Sequence, residues 1–132
     1  MVCIDVHISV GQTMTLQFKA TITEIGMLAS EALEENMIIL FNQTAPEEVK
    51  DYCFIHDQGL YSGMITTQST LLIADKDFIV TAVGSAVSQN LANLGHITIK
   101  FDGKMDPEQP GTVHVIGHRP NSIYEGDEIV FG

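Results

Sequence analysis

The sequence predicts an all-β domain, a barrel or sandwich of short strands. Three observations lead there. Apolar residues alternate with polar or small ones along several segments, the two-residue period of a strand with one buried face. Pro107, Pro110, Gly111 and Pro120 punctuate the connections between short segments. Only two or three short helical segments are visible, so the long crossover helices of a doubly wound α/β sheet are missing. With 132 residues, 45% of them hydrophobic, the chain can fill one core, and a single domain over residues 1–132 is expected.

Taken in order, Val2, Ile4, Val6, Ile8 and Val10 alternate and predict a first strand, broken at Gly11 and Gln12. Met14 to Ile25 predicts a second, with Leu16, Phe18, Ala20 and Ile22 on one face. Ala29 to Glu35 suits one or two helical turns, and Met37 to Phe41 (MIILF) a strand buried on both faces. Thr44-Ala-Pro-Glu47 carries helix-start chemistry, with Thr44 as N-cap and Glu47 placed for a capping box, for a helix over Ala45 to Tyr52. Strands follow at Thr70 to Ala74 and Asp77 to Gly84, turning around Asp75 and Lys76. Ser85 is the expected cap of a helix whose Val87, Leu91 and Leu94 share one face and which Gly95 ends. His96 to Phe101, Gly111 to Ile116 and Asp127 to Phe131 complete the strands.

Seventeen Asp and Glu against six Lys and Arg leave a formal charge of −11. Affinity for nucleic acid rests on cations that neutralise phosphates, so that class is excluded, as is electrostatic attachment to an anionic membrane. Charged partners of this domain should present basic patches. The two cysteines, Cys3 and Cys53, form no disulfide framework and no zinc spacing, and read as reduced, packed thiols. The first residues carry Asp5 and His7 within the apolar run and lack the basic flank of a signal peptide. No stretch reaches the ~20 apolar residues of a spanning helix, and a cytoplasmic location is expected.

Phosphate-cradling glycine loops and the GxSxG elbow are absent, so no cofactor is predicted. The residues with chemistry to offer are His7, His56, His96, His114 and His118. His56 should emerge at the end of a strand or helix, just before Gly59. His96 opens a β-run, and His114 points away from the face shared by Val113 and Val115. Three readings stand: hydrogen-bonded structural imidazoles, a zinc site built by convergent histidines, or a nucleophile. Neutral imidazole, with a reference pKa of about 6.5, has a free lone pair near neutral pH. Local pattern does not choose among them.

The longer pattern does. TITEIG (Thr21 to Gly26), ILFNQTAPEEVKDYCFIH (Ile39 to His56), VTAVGSAVSQNLANLGHITIKFDG (Val80 to Gly103) and PGTVHV (Pro110 to Val115) occur in order and span most of the chain. From Met14 onward the sequence resembles the glucitol/sorbitol-specific IIA components of the bacterial phosphoenolpyruvate-dependent sugar phosphotransferase system. That resemblance implies a small closed β-barrel and a cytoplasmic phosphocarrier. By the same resemblance, the phosphocarrier protein HPr phosphorylates a histidine. The group then passes to the IIB component of the sorbitol permease, which phosphorylates the sugar during uptake. The family's phosphorylated histidine falls in the block DYCFIH, and so on His56. Contact with the membrane would be indirect, through the permease.

Such a site needs an exposed, neutral acceptor nitrogen, with the other ring nitrogen fixed by a hydrogen bond. It also needs donors for the phosphate, which backbone N–H groups beside glycines can supply. Gly59 is the nearest such residue in sequence, and His96 and His114 are candidate supporting donors. Asp57 should point to solvent or hold a backbone donor, since facing the phosphate it would repel it. Glu47, Glu48 and Asp51 form either a solvated face or a docking surface for basic residues of HPr. Two other readings stand beside the carrier: a metal-binding barrel enzyme using His56, His96 and His114, and a non-catalytic regulatory domain of the same fold. Residues 1–13 precede the familiar beginning. Either Met14 is the natural start and they are an added extension, or they form an extra strand, which would want a sheet edge, its own or a neighbour's, and makes a homodimer an expectation.

Overall fold

The computed structural model describes residues 5–9 and 12–132, with side chains from residue 16 onward. Strands β1 (Asp5–Ser9) and β2 (Gln12–Thr15) pair antiparallel in a two-stranded sheet of their own. The extra strand thus finds its edge in the segment that follows it. The ends of the predicted first strand, residues 2–4 and 10, lie outside the described residues, as does Cys3.

The expected strand from Met14 to Ile25 divides at Leu16 and Gln17, where the Gln17 N–H turns to donate to Phe131 O at 2.8 Å. Beyond the break runs β3 (Phe18–Ile25), and its predicted face holds, with Leu16, Phe18, Ala20 and Ile22 all buried. Next come α1 (Ala29–Glu34), β4 (Met37–Asn42), α2 (Glu47–Lys50), β5 (Phe54–His56) and β6 (Leu60–Tyr61). The chain continues through β7 (Thr70–Ile73), β8 (Lys76–Val83), α3 (Val87–Leu94), β9 (Ile97–Lys100), β10 (Thr112–Ile116) and β11 (Glu128–Phe131).

Eight strands close in the order β3, β11, β7, β8, β10, β9, β4, β5 and back to β3, with β6 adding to the free edge of β3 beside β5. β4 pairs with β5 and β9 with β10 in parallel, while every other barrel pairing is antiparallel. A barrel of this size is filled by its own side chains. Phe18, Leu40, Ile73, Ile99, Val113, Val115 and Phe131 are among those packed inside. Outside it, Phe41, Ala45, Cys53 and Ile55 form a smaller cluster with Ile39 and Val49. That cluster is why MIILF reads as apolar on both faces: Ile38 and Leu40 fill the barrel while Phe41 packs under the crossover. Cys53 is a free, buried thiol that burial pushes up to about 11.

Local expectations are corrected in α2, in α3 and at the turn between β7 and β8. α2 is a single turn starting after Pro46, and Thr44 does not cap it. Asn42 Oδ1 takes both the Thr44 N–H and its hydroxyl, an Asx turn that competes with the cap. Ser85 does not cap α3 either, for Ala86 stands at that position with no side-chain bond. In α3, Val87 and Leu91 face the core but Leu94 is 41% exposed. The hairpin between β7 and β8 turns at Ala74 and Asp75, with Ala74 taking the positive φ.

Candidate active site

The register fixes where the histidines go. His56 is the last residue of β5 and pairs with Asn42, the last residue of β4. By the alternation of the strand it shares the inward face of Phe54, while Ile55 joins the outer cluster. β9 runs antiparallel to β4 and therefore begins at this same end, with Gly95 just ahead of it. Edge-on contact with Phe18, ring centres 5.5 Å apart, closes the interior beneath the imidazole.

The ring is 0% exposed. Its Nε2 lies 2.9 Å from Gly95 O, and its Nδ1 accepts the Gln58 N–H at 3.0 Å. Since Nδ1 accepts, the proton of the neutral ring sits on Nε2 and is donated to the Gly95 carbonyl. Gly95 ends α3 in the left-handed conformation (φ 60°), and a Cβ there would stand 2.6 Å from Nε2. Only glycine allows the backbone this approach. Gln58 has positive φ too (67°) and is fastened by its side chain. Asn42 Nδ2 donates to Gln58 Oε1 at 2.9 Å, and Gln58 Nε2 donates to Leu91 O at 2.8 Å. Burial holds the His56 pKa below the ordinary 6.5, outweighing the Gly95 bond and the nearby Asp57 charge. The imidazole is neutral at pH 7.

The exposed acceptor nitrogen expected from the sequence is not what the structure holds. Physically, a two-residue turn folds Gln58 back over Nδ1 while a side-chain-free backbone covers Nε2. Asp57 does hold backbone donors: its Oδ1 accepts the Thr21 N–H at 3.0 Å and the Gly59 N–H at 3.1 Å. The Gly59 amide is thereby committed to Asp57. His96 follows Gly95 at the same end, half-buried and stacked on Phe41 at 4.4 Å, and burial lowers its pKa as well.

His114 lies elsewhere. It pairs with Lys100, the last residue of β9, so it sits at the end of that strand away from Gly95. It points out of the barrel, opposite to Val113 and Val115, and the loop after β9 covers it completely. Its Nδ1 is 2.8 Å from Asp102 Oδ1, and its Nε2 accepts the Glu108 N–H at 3.3 Å. His56, His96 and His114 therefore do not converge, and the three-histidine metal site is not formed. Among the described residues, Asp102, Glu108 and His114 do bring ligand atoms within 4.8 Å of one another. Those atoms are already engaged: the Glu108 carboxylate pairs with Lys100 at 3.1 Å and with Lys104. The group is a clasp that ties the loop to β10.

Gln58, Asn42 and Leu91 O were not legible as partners of His56. Alternation fails at Asp57 and Gln58, and the contact between β5 and α3 spans residues far apart in sequence. Gly95 was visible, though only as a helix terminator.

Fold and site define a small closed β-barrel that seats one desolvated, neutral histidine at its mouth. The family of PTS system glucitol/sorbitol-specific IIA components matches residues 17–130. The glucitol/sorbitol-specific EIIA components of Shigella flexneri and Escherichia coli (strain K12) are each 42% identical over 118 residues, covering 89% of this chain and 96% of theirs. A crystal structure of a PTS system IIA component from Enterococcus faecalis V583 superposes with a TM-score of 0.69 at 28% identity, covering 84% of this chain and 96% of that one. The chain belongs to the glucitol/sorbitol-specific IIA component family of the phosphotransferase system, a family of phosphotransfer components.

Proposed function

We propose that His56 is the phosphoryl acceptor of a cytoplasmic carrier that takes the group from HPr and hands it to the IIB component for glucitol/sorbitol uptake. The observation that carries this reading is the neutral, desolvated ring of His56, placed within the family-matched residues and held by two neutral backbone groups. Among the described residues no helix is long and apolar enough to cross a membrane, which accords with a carrier that reaches the permease from one side.

Transfer between two histidines needs an acceptor lone pair in line with the donor's N–P bond. The new N–P bond forms as the old one breaks, and the donor ring keeps the electron pair, so no proton need be supplied. Positioning and charge stabilisation carry the catalysis. A neutral ring at pH 7 meets the first need, and lowering its pKa by burial secures it. Both ring nitrogens are occupied in the seat described above, so this is a closed state: acceptance includes release of Nδ1 from the Gln58 N–H, or release from Gly95 together with transfer of the ring proton from Nε2 to Nδ1. His96 is the supporting group nearest in sequence to Gly95. Exposed Glu47 and Glu48 lie on the crossover that leaves the His56 end, where they would draw a basic partner and raise its rate of encounter.

The test is incubation with phosphoenolpyruvate, enzyme I and HPr. Wild type should acquire one acid-labile phosphate, and His56→Gln none. Acceptance by His56→Gln at the wild-type level would remove His56 from the mechanism. Onward transfer to a purified IIB component tests the second half of the relay.

A further inference from the structure

The end of the barrel away from His56 holds a second feature. Of the six Lys and Arg, four sit in ion pairs: Lys19 with Glu128, Lys50 with Glu24, and Lys100 and Lys104 with Glu108. The remaining two, Lys76 and Arg119, have no carboxylate partner among the described residues. Both line one cavity of about 490 Å³, together with His118, Asn36, Asn121 and Phe101. No Asp or Glu lines it, although the chain carries seventeen.

Four segments of the barrel build this cavity. Asn36 precedes β4, Lys76 opens β8, Phe101 follows β9, and His118 and Arg119 follow β10. The wall is set by backbone as well as side chains. Phe101 N–H donates to Asn36 O at 2.9 Å. Gly117 turns with φ 146° against the Phe78 ring, where a Cβ would collide. That turn delivers His118 and Arg119 to the rim. Arg119 is half-buried, and its one side-chain bond among the described residues, from Nη1 to Pro120 O, is long at 3.5 Å. Its remaining donors face no protein acceptor among the described residues.

Two unpaired cations beside a histidine repel one another, and an acidic molecule has ample carboxylates with which to pair them. Leaving them bare in a cavity fits a site whose counter-charge arrives with a ligand. We propose that this cavity binds a small hydroxylated phosphate monoester. Arg119 supplies a planar fork and Lys76 a point charge for the phosphate. Asn36 and Asn121 offer both donors and acceptors, the pairing that hydroxyl groups need. The volume lies within the range of small-molecule sites. This site is separate from His56, and only the choice of a hexitol as the hydroxylated probe rests on the proposed function.

The test is a titration of the full chain, followed by amide chemical shifts and calorimetry, with a hexitol phosphate, inorganic phosphate and the free hexitol as probes. The hexitol phosphate should bind saturably and shift residues 76 and 117–121. Inorganic phosphate should bind more weakly and the free hexitol not at all. Lys76→Gln with Arg119→Gln should weaken binding by at least about tenfold, while His56→Gln should leave it unchanged. The proposal is overturned if neither phosphate compound binds saturably at millimolar concentration, or if the double variant binds as wild type does. It is equally overturned if the shifted residues cluster around His56. Equal affinity for inorganic phosphate and the hexitol phosphate would overturn the role given to Asn36 and Asn121.

Discussion

His56 and His114 are both fully buried, and they stand at opposite ends of β9, yet they are built for different ends. His114 faces a carboxylate: Asp102 accepts from its Nδ1, and the Glu108 amide fills its Nε2. Such a ring is fixed by charge as well as by hydrogen bonds, and its cluster is linked through Glu108 to two lysines. His56 meets only neutral partners, one carbonyl and one amide, over an aromatic floor. Burial with no carboxylate bonded to the ring disfavours the imidazolium, outweighs the nearby Asp57 charge and keeps a neutral ring. Burial is common to the two rings; what their nitrogens face is what separates them.

The sharpest way to break that contrast is to exchange the roles by mutation. His56→Gln should lower phosphoryl acceptance by more than about a thousandfold, because the proposed acceptor is lost outright. His114→Ala should leave acceptance intact but destabilise the fold by about 2–3 kcal/mol, since Asp102 and the Glu108 amide lose their buried partner. Denaturant unfolding beside the labelling assay separates the two effects. A His114→Ala protein that folds normally yet accepts no phosphate would defeat the assignment of roles.

Gly95→Ala comes next in size. The left-handed φ alone costs about 1–2 kcal/mol for a residue with a Cβ. The methyl group would also push into the His56 ring, so the seat is lost along with stability. Acceptance should fall about tenfold or more, and the His56 imidazole resonances should move. An alanine variant with wild-type rates would mean that the Gly95 contact has no part in positioning the ring.

Much of this architecture could be read from the amino acids. Alternation found β3, β7, β8, β9, β10 and β11 within a few residues, because each has one face in the barrel. It missed β5 and β6, three and two residues long, which are too short to show a period. The helix caps misled because Thr44 and Ser85 sit beside competing turns, and only the folded backbone decides which bond a short side chain makes. His56 was found through the pattern of its surrounding block. Its cover was not, since Gln58 and Gly95 come together only when α3 packs across the end of β5. His114 looked equivalent in sequence, and strand register alone separates it from His56.

Gln58→Ala probes the cover itself. The substitution removes the bonds to Asn42 and Leu91 O but leaves the backbone N–H that caps Nδ1. Loss of these bonds should weaken the closed seat by about 1 kcal/mol. If ring release precedes attack, that loosening raises the rate of acceptance about fivefold at fixed HPr. A rate that falls instead would show that Gln58 positions the ring for attack rather than restraining it.

Acid should separate the two ends by a smaller margin. The folded pKa of His56 is below the unfolded 6.5, so the unfolded chain binds the extra proton first. Its contribution is fully present above pH 6.5 and is lost as pH falls through the folded value. At Asp102 burial pushes the pKa up, but the bonds from His114 and the Lys104 N–H bring it below the ordinary 3.8. That stabilisation persists well into acid and fades only as pH drops below 3.8 through the lower folded value. Unfolding free energy measured against pH should therefore decline in two windows. His56→Gln should flatten the first, with the share of His96 remaining, and leave the second in place. Asp102→Asn should do the reverse, with the share of Glu108 remaining. If His56→Gln leaves the slope just below pH 6.5 unchanged, the ring is not held neutral by burial, and the contrast with His114 loses its electrostatic basis.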